Sequence, residues 1–378
     1  MTARASVSPA PAGYAWEPTS EQIAGRYDLP LESIVRFDLN TSPAPPELAG
    51  RVLAAGRFVA PLSEYPPSDY RALAEAAAAR YGVEPNEILV GAGADEVLDL
   101  CAKAFLAPGS TAVIPAPSYA MYRVLTEQRP ARAIAVPRLP AMNGYAMDVA
   151  AVREAARSAS LVWLCSPNNP TALPEPDGAI GSLLDGLLAD ATADGREAPA
   201  VVLDEAYAEF AGGSLVGLRA TYPRLVVVRT VSKAYALAGL RVGFAIARRG
   251  TIAPIEPYRP PGSVSVASVS VATEALRDDA VLAANLERVA SERERLAAAF
   301  SSIGWSAGPS TTNFLLVDLG GVEHAAAVAE ALLRRGLVPR TFGPGHPLAD
   351  HLRFTVRAPW EDDLLIEAAR EIAREERR

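Results

Sequence analysis

The stretch "RTVSKAYALAGLRVGF", residues 229–244, decides how this chain is read. An apolar run from Leu225 to Val228 leads into a polar turn that presents Lys233, followed by Gly239 and Arg241. Most lysines are solvated surface groups, so one bracketed by apolar strands and small residues is costly as an idle charge. Burial lowers the pKa of such an amine and makes it a usable nucleophile, able to form a Schiff base with an aldehyde. Ser232 beside it and Arg241 eight residues on are fitted to a phosphate, the arginine through its planar donor fork.

A second segment, "VVLDEAYAEF" at 201–210, puts Asp204 at a strand end in an apolar setting. A buried carboxylate is costly unless paired. A protonated pyridine nitrogen is a suitable partner, because the ion pair keeps the ring cationic and able to accept carbanion electrons. Tyr207, three residues on, can hydrogen-bond the ring's phenolate oxygen. Alone, the two residues read equally well as a helix-capping aspartate and a core tyrosine. Beside Lys233 they point to pyridoxal 5'-phosphate (PLP) and so to amino-acid chemistry.

Further candidates lie at other strand ends. "GAGADE" at 91–96 follows a strand and opens a helix, whose free N–H groups, at Ala94 and Asp95, suit an anion. Glycine-bearing turns of this kind are common, and alone this one is weak. "SPNNPTA" at 166–172 holds Asn168 and Asn169 between two prolines, and an amide there can donate to a cofactor oxygen, although Asn-Pro is also an ordinary turn. Tyr119, in "PAPSYAMY", can stack on a pyridine face or be a plain core tyrosine. Tyr65, in the Pro-rich turn "SEYPPSDY", is exposed by its context and can reach across a subunit boundary. In "HLRFTVRAP" at 351–359, strand alternation sets Arg353 opposite Leu352 and Phe354, so that it can fork onto a carboxylate. Arg340, in "LVPRTFG", offers a further cation for a second anionic group.

The bulk properties are compatible with this. The 378 residues, half of them hydrophobic, suffice for a large domain with a smaller satellite. A net charge of −8 disfavours a nucleic-acid footprint. Cys101 and Cys165 read as buried small hydrophobes, and the three histidines show no metal-ligand spacing. No signal peptide and no apolar run of roughly 18–20 residues is evident, so a soluble, cytoplasmic, non-membrane protein is expected.

Apolar runs at 87–90, 111–115, 132–136, 161–165, 200–203, 225–229 and 242–247 alternate with amphipathic stretches at 94–106, 118–128, 148–157 and 177–190. Alternation of this kind predicts an α/β fold with a mostly parallel sheet between helices, binding its ligand at the carboxyl ends of the strands. A flexible tail is expected at 1–13, an N-terminal segment at 14–45 packing on the small domain or a partner, a large domain at 46–255, and a smaller α+β C-terminal domain at 256–378 that opens with a long helix at 279–303.

Taken together, the order and spacing of "YDLPLESIVRFDLNTSP", "YP", "GAGADE", "PSYAMY", "PNNPT", "LDEAYAEF", "RTVSKAYALAGLRVG" and "LRFTVRAP" resemble the fold-type-I, aspartate-aminotransferase-like PLP enzymes, and more closely the histidinol-phosphate aminotransferase family. The resemblance runs from about residue 13 to 375. It implies the PLP-dependent transferase fold and these roles: Lys233 as Schiff-base lysine and proton shuttle, Asp204 on the pyridine nitrogen, and Asn169 and Tyr207 on the phenolic oxygen. Tyr119 stacks on the ring. Ser232, Arg241 and the backbone of Ala94 and Asp95 hold the phosphate. Tyr65 reaches it from the partner of a homodimer. On the substrate side it implies Arg353 for the α-carboxylate or its equivalent, with Tyr14, Arg340 and Asn40 nearby. The implied reaction moves an amino group from glutamate to a keto acceptor, imidazole acetol phosphate. An aromatic or specialised-metabolite aminotransferase, an amino-acid-phosphate decarboxylase and, remotely, a PLP-sensing regulator are the rival readings. Three departures touch the substrate side: "LNTSP" (39–43) lacks the family's acidic residue, Ala172 replaces a glycine, and Arg357 beside Arg353 is expected to favour an anionic substrate.

Overall fold

The computed structural model describes Gly13 and residues 17–377. Its centre is a seven-stranded sheet built from β1 (Ile88–Gly91), β2 (Thr111–Ala116), β3 (Arg132–Pro137), β4 (Leu161–Cys165), β5 (Ala200–Asp204), β6 (Leu225–Thr230) and β7 (Gly243–Ile246). The spatial order is β1-β7-β6-β5-β4-β2-β3. All neighbouring pairs are parallel except the two made by β7, which is antiparallel to both β1 and β6. The expected mostly parallel α/β sheet is therefore present.

The uniformly apolar strands follow from burial on both faces. Val201, Leu203 and Val227 join one core with Leu73, Leu183 and Val269, whereas Val202, Val226 and Val228 join another with Leu98, Cys101 and Trp163. Both cysteines are buried.

The reversal of β7 positions the site. Strands β1, β2, β4, β5 and β6 end at one edge of the sheet, and β7 starts there. Arg241, two residues before β7, is thereby returned to the edge that carries the N-terminus of the helix Gly93–Phe105. The approach is close: a Cβ on Gly243 would lie 2.4 Å from the Gly93 carbonyl carbon and 2.6 Å from the Ala94 nitrogen.

The smaller unit contains an antiparallel sheet of Ser306–Ala307, Phe314–Asp318 and His351–Thr355, packed by the helices Asp279–Ile303, Val322–Leu333 and Pro359–Glu375. In the N-terminal segment a short strand, Val35–Arg36, pairs in parallel with Leu337–Val338, and Val35 and Phe37 join the small unit's core. One helix was not anticipated. Val266–Arg277 packs on the helices Glu47–Ala55 and Arg71–Tyr81, within the large unit's core. Its hydroxyl residues hide the apolar pattern, yet Ser270 and Thr273 bond back to the carbonyls of Val266 and Val269 and so can be buried. Residues of the large core run on to Leu282, and those of the small core begin again at Val289. We accordingly propose a division inside the helix Asp279–Ile303, later than the 255 suggested by composition. Among the described residues no helix is long and apolar enough to cross a membrane.

Gly243→Ala tests the close approach. The added methyl meets backbone rather than a movable side chain, so the variant should lose about 1–3 kcal/mol of unfolding free energy. Urea denaturation measures this, and a stability equal to wild type would contradict the packing.

Candidate active site

A cavity of about 480 Å³ opens at the edge where the strands end. It is lined from the large unit, the N-terminal segment and the small unit, and among the described residues it gathers the candidates except Tyr65, Asn168 and Arg357. Tyr14 lies outside the described residues. Tyr65 stands apart from the cavity, 86% exposed, with its ring against Gly262.

Lys233 is one of only two lysines in the sequence. The other, Lys103, pairs with Asp99 at 2.6 Å on a helix surface. Lys233 Nζ instead donates to the Asn40 carbonyl at 3.0 Å and lies 5.8 Å from the centroid of the Tyr207 ring. Burial, then the charge of Arg353, pushes the amine down to about 8. The backbone of Asn40 is left-handed (φ 53°), and its Nδ2 donates to the Tyr207 hydroxyl at 2.9 Å. Asn40, placed with the substrate by resemblance, thus touches both Lys233 and Tyr207.

Asp204 ends β5 on the cavity wall, where burial pushes its carboxyl up to about 6. Tyr122 Oη donates to Oδ2 at 2.8 Å and the Ala206 N–H donates to Oδ1 at 3.0 Å. Tyr122, stacked on Trp163 at 5.4 Å, was not singled out in the sequence, although its position three residues after Tyr119 carried a signal. Such a carboxyl, supported by two hydrogen bonds but still short of charge compensation, suits a cationic nitrogen.

At the other end of the cavity the helix Gly93–Phe105 presents its first turn. Arg241 Nη2 donates to Asp95 Oδ2 at 3.1 Å, and Tyr119 Oη donates to Asp95 Oδ1 at 3.0 Å. A Cβ on Gly93, whose φ is 81°, would fall 2.4 Å from Arg241 Nη2, so only glycine leaves the guanidinium this room. Thr230 Oγ1 donates to Ser232 Oγ at 2.9 Å and accepts the Ser232 N–H at 3.1 Å, a pairing not foreseen from sequence. Free helix N–H groups, a serine and an arginine at one point have the chemistry of a phosphate cradle.

On the small unit, Leu352 and Phe354 enter the core, and Arg353 lines the cavity. Its guanidinium donates to Asn169 Oδ1 and to the Asp38 carbonyl, each at 2.6 Å, and lies over the Phe314 ring at 5.1 Å. Arg340 and Arg353 exchange both backbone hydrogen bonds across an antiparallel bridge, at 3.0 Å each. Residues opposed in this way project to the same face. Arg340 forms an ion pair with Glu17. Arg357 does not join them. Its guanidinium donates to Glu361 at 2.8 Å and to the Arg36 carbonyl at 3.3 Å, and it is absent from the cavity wall. The expectation that Arg357 biases the pocket toward anions is therefore corrected: the carboxylate four residues later on the final helix holds it away. Ala172, in place of the family's glycine, is buried with φ 68° and keeps the left-handed turn.

Asp204 gives a pH prediction for the cofactor-free protein. Its folded pKa lies above the ordinary 3.8, so the folded chain keeps this proton longer than the unfolded chain. The stabilising contribution is complete below about pH 4 and is lost as pH rises to about 6. Wild-type stability relative to Asp204→Asn should therefore fall by at most about 3 kcal/mol over that interval. Urea titrations of both proteins measure it, and a pH-independent difference would contradict the assignment.

Comparison with known proteins agrees with this geometry. Residues 59–372 match the family described as Aminotransferase class I and II. The chain is 37% identical over 363 residues to the histidinol-phosphate aminotransferase of Roseiflexus castenholzii, covering 93% of each. It is 36% identical to that of Symbiobacterium thermophilum, covering 90% of this chain and 91% of the relative. Among solved structures, the histidinol-phosphate aminotransferase of Sinorhizobium meliloti in complex with PLP superposes with a TM-score of 0.85 at 25% identity, covering 96% of each chain. The chain is a member of the class I and II aminotransferases, the fold-type-I PLP enzymes. Within them it belongs with the histidinol-phosphate aminotransferase family.

Proposed function

We propose that the protein is a PLP-dependent transaminase that takes an amino group from glutamate and passes it to imidazole acetol phosphate. The observation that carries the reading is the placement of Lys233 and Asp204 in one cavity, the amine pushed down to about 8 and the carboxyl up to about 6 by the same burial. Groups shifted toward neutrality by a shared apolar wall are suited to proton transfer near neutral pH.

The residues present fit the cofactor. Asp204 would hold the pyridine nitrogen, and Tyr207 with Asn169 the phenolic oxygen. Arg353 engages the carboxamide oxygen of Asn169, which leaves its NH₂ as the donor. Tyr119 would cover the ring. Arg241, Ser232 and the backbone of Ala94 and Asp95 would hold the phosphate, to which a partner's tyrosine at the Tyr65 position would add in a homodimer. When bound, the cofactor supplies an aldehyde to carry the amino group and a cationic ring to take up the electrons left on the substrate Cα. Lys233 moves the proton at that Cα, and Asn40 positions its amine through the backbone carbonyl. Arg353 orients the α-carboxylate of glutamate or the equivalent end of the acceptor, and Arg340 stands beside it for a second anionic group. The match to histidinol-phosphate aminotransferases over nine-tenths of the chain supports the phosphorylated acceptor.

Glutamate assayed with a panel of keto acceptors, including imidazole acetol phosphate and phenylpyruvate, tests the assignment. The phosphorylated acceptor should give the highest kcat/KM with release of 2-oxoglutarate, and carbon dioxide release without amino exchange would contradict transamination. Lys233→Ala should lower turnover by on the order of 10⁴-fold, and full activity in that variant would refute the role of the amine.

A further inference from the structure

Arg340 and Arg353 are fixed side by side by the antiparallel bridge between their backbones. Like charges directly opposed across strands repel, so each guanidinium needs its own compensation. Arg353 has the Asn169 amide oxygen, the Asp38 carbonyl and the Phe314 ring face. Arg340 has a full carboxylate, Glu17, brought in from the N-terminal segment more than three hundred residues earlier in the chain. Both partners of this pair are partly shielded, with side chains 23% and 28% exposed, and both line the cavity.

Beside the pair the cavity wall is flat and aromatic, while the nearby Asp38 carboxylate is engaged by Arg36. His346 stacks on Phe342 at 4.8 Å, and burial and the charge of Arg340 push its imidazole down. The Leu348 N–H donates to His346 Nδ1 at 3.1 Å, which places the neutral ring's proton on Nε2. An arriving anionic group therefore meets a cation that a resident carboxylate already engages, beside a flat neutral surface that accepts an aromatic group without disturbing the pair.

We propose that Glu17 is a specificity-determining residue: it competes with the acceptor's phosphate for Arg340 and so narrows the preference for phosphorylated acceptors over aromatic keto acids, whose single carboxylate is held by Arg353. This rests on the reading of the chain as a transaminase. The negative charge of Glu17 repels the incoming anion, and its displacement costs the ion pair. An aromatic keto acid, uncharged except for the carboxylate that Arg353 takes, leaves the pair in place.

The test compares holoenzyme and the Glu17→Gln variant with glutamate as donor, using imidazole acetol phosphate and phenylpyruvate as acceptors. The ratio of their kcat/KM values should rise roughly three- to tenfold in favour of the phosphorylated acceptor, carried by KM. Inorganic phosphate should inhibit phenylpyruvate turnover at a correspondingly lower concentration. On an Arg340→Met background, Glu17→Gln should change neither quantity, which separates competition for Arg340 from a general effect on the N-terminal segment. If wild type turns over no phosphorylated acceptor, the acceptor reading fails, and phosphate inhibition alone decides the role of Glu17. A ratio and a phosphate inhibition equal to wild type, or a ratio that falls, would overturn the proposal.

Discussion

An amine deprived of water governs this molecule. Lys233 sits just past the end of a buried strand, its charge discouraged by burial and by Arg353, and its Nζ donates to the Asn40 carbonyl. A lysine kept there without use would cost stability for no return in packing. The surrounding architecture serves the same end. The antiparallel strand β7 returns Arg241 to the helix N-terminus, two glycines let the chain segments meet, and the Tyr122 hydroxyl steadies Asp204. The small unit, with the N-terminal segment paired to it, closes the cavity from the other side.

The two ends of the cavity solve different electrostatic problems. Around Asp204 the wall withholds compensation, so that a cationic ring would find a carboxyl waiting for it. Around Arg340 and Arg353 the chain supplies compensation in advance, through a carboxylate, amide and carbonyl oxygens and an aromatic face. One end is poised for a permanent guest. The other end holds its cations with oxygen partners from the chain itself, the kind of contact a substrate oxygen could replace.

Much of this was legible in the residues. Strands buried on both faces read as apolar runs, and the motifs at their carboxyl ends are short enough to lie in single segments, so Lys233, Asp204, Tyr207 and Arg241 were visible before any coordinates. What escaped depends on contacts between distant segments. Tyr122 reaches Asp204 across 82 positions of sequence, and Glu17 reaches Arg340 across the whole fold. Arg357 looked like a second substrate cation because it follows Arg353 by only four positions. Only the final helix, which brings Glu361 to it, shows that it is a structural ion pair. The helix Val266–Arg277 was hidden because its buried Ser270 and Thr273 satisfy themselves on their own backbone, which hydropathy does not register.

Borohydride reduction of the purified protein with pyridoxal phosphate, followed by peptide mapping, tests the central claim most directly. With only two lysines in the chain, the outcome is sharp. The account predicts a stable pyridoxyl adduct on the peptide containing Lys233 and none on that of the ion-paired Lys103. An unmodified Lys233, or labelling of Lys103 alone, would contradict it.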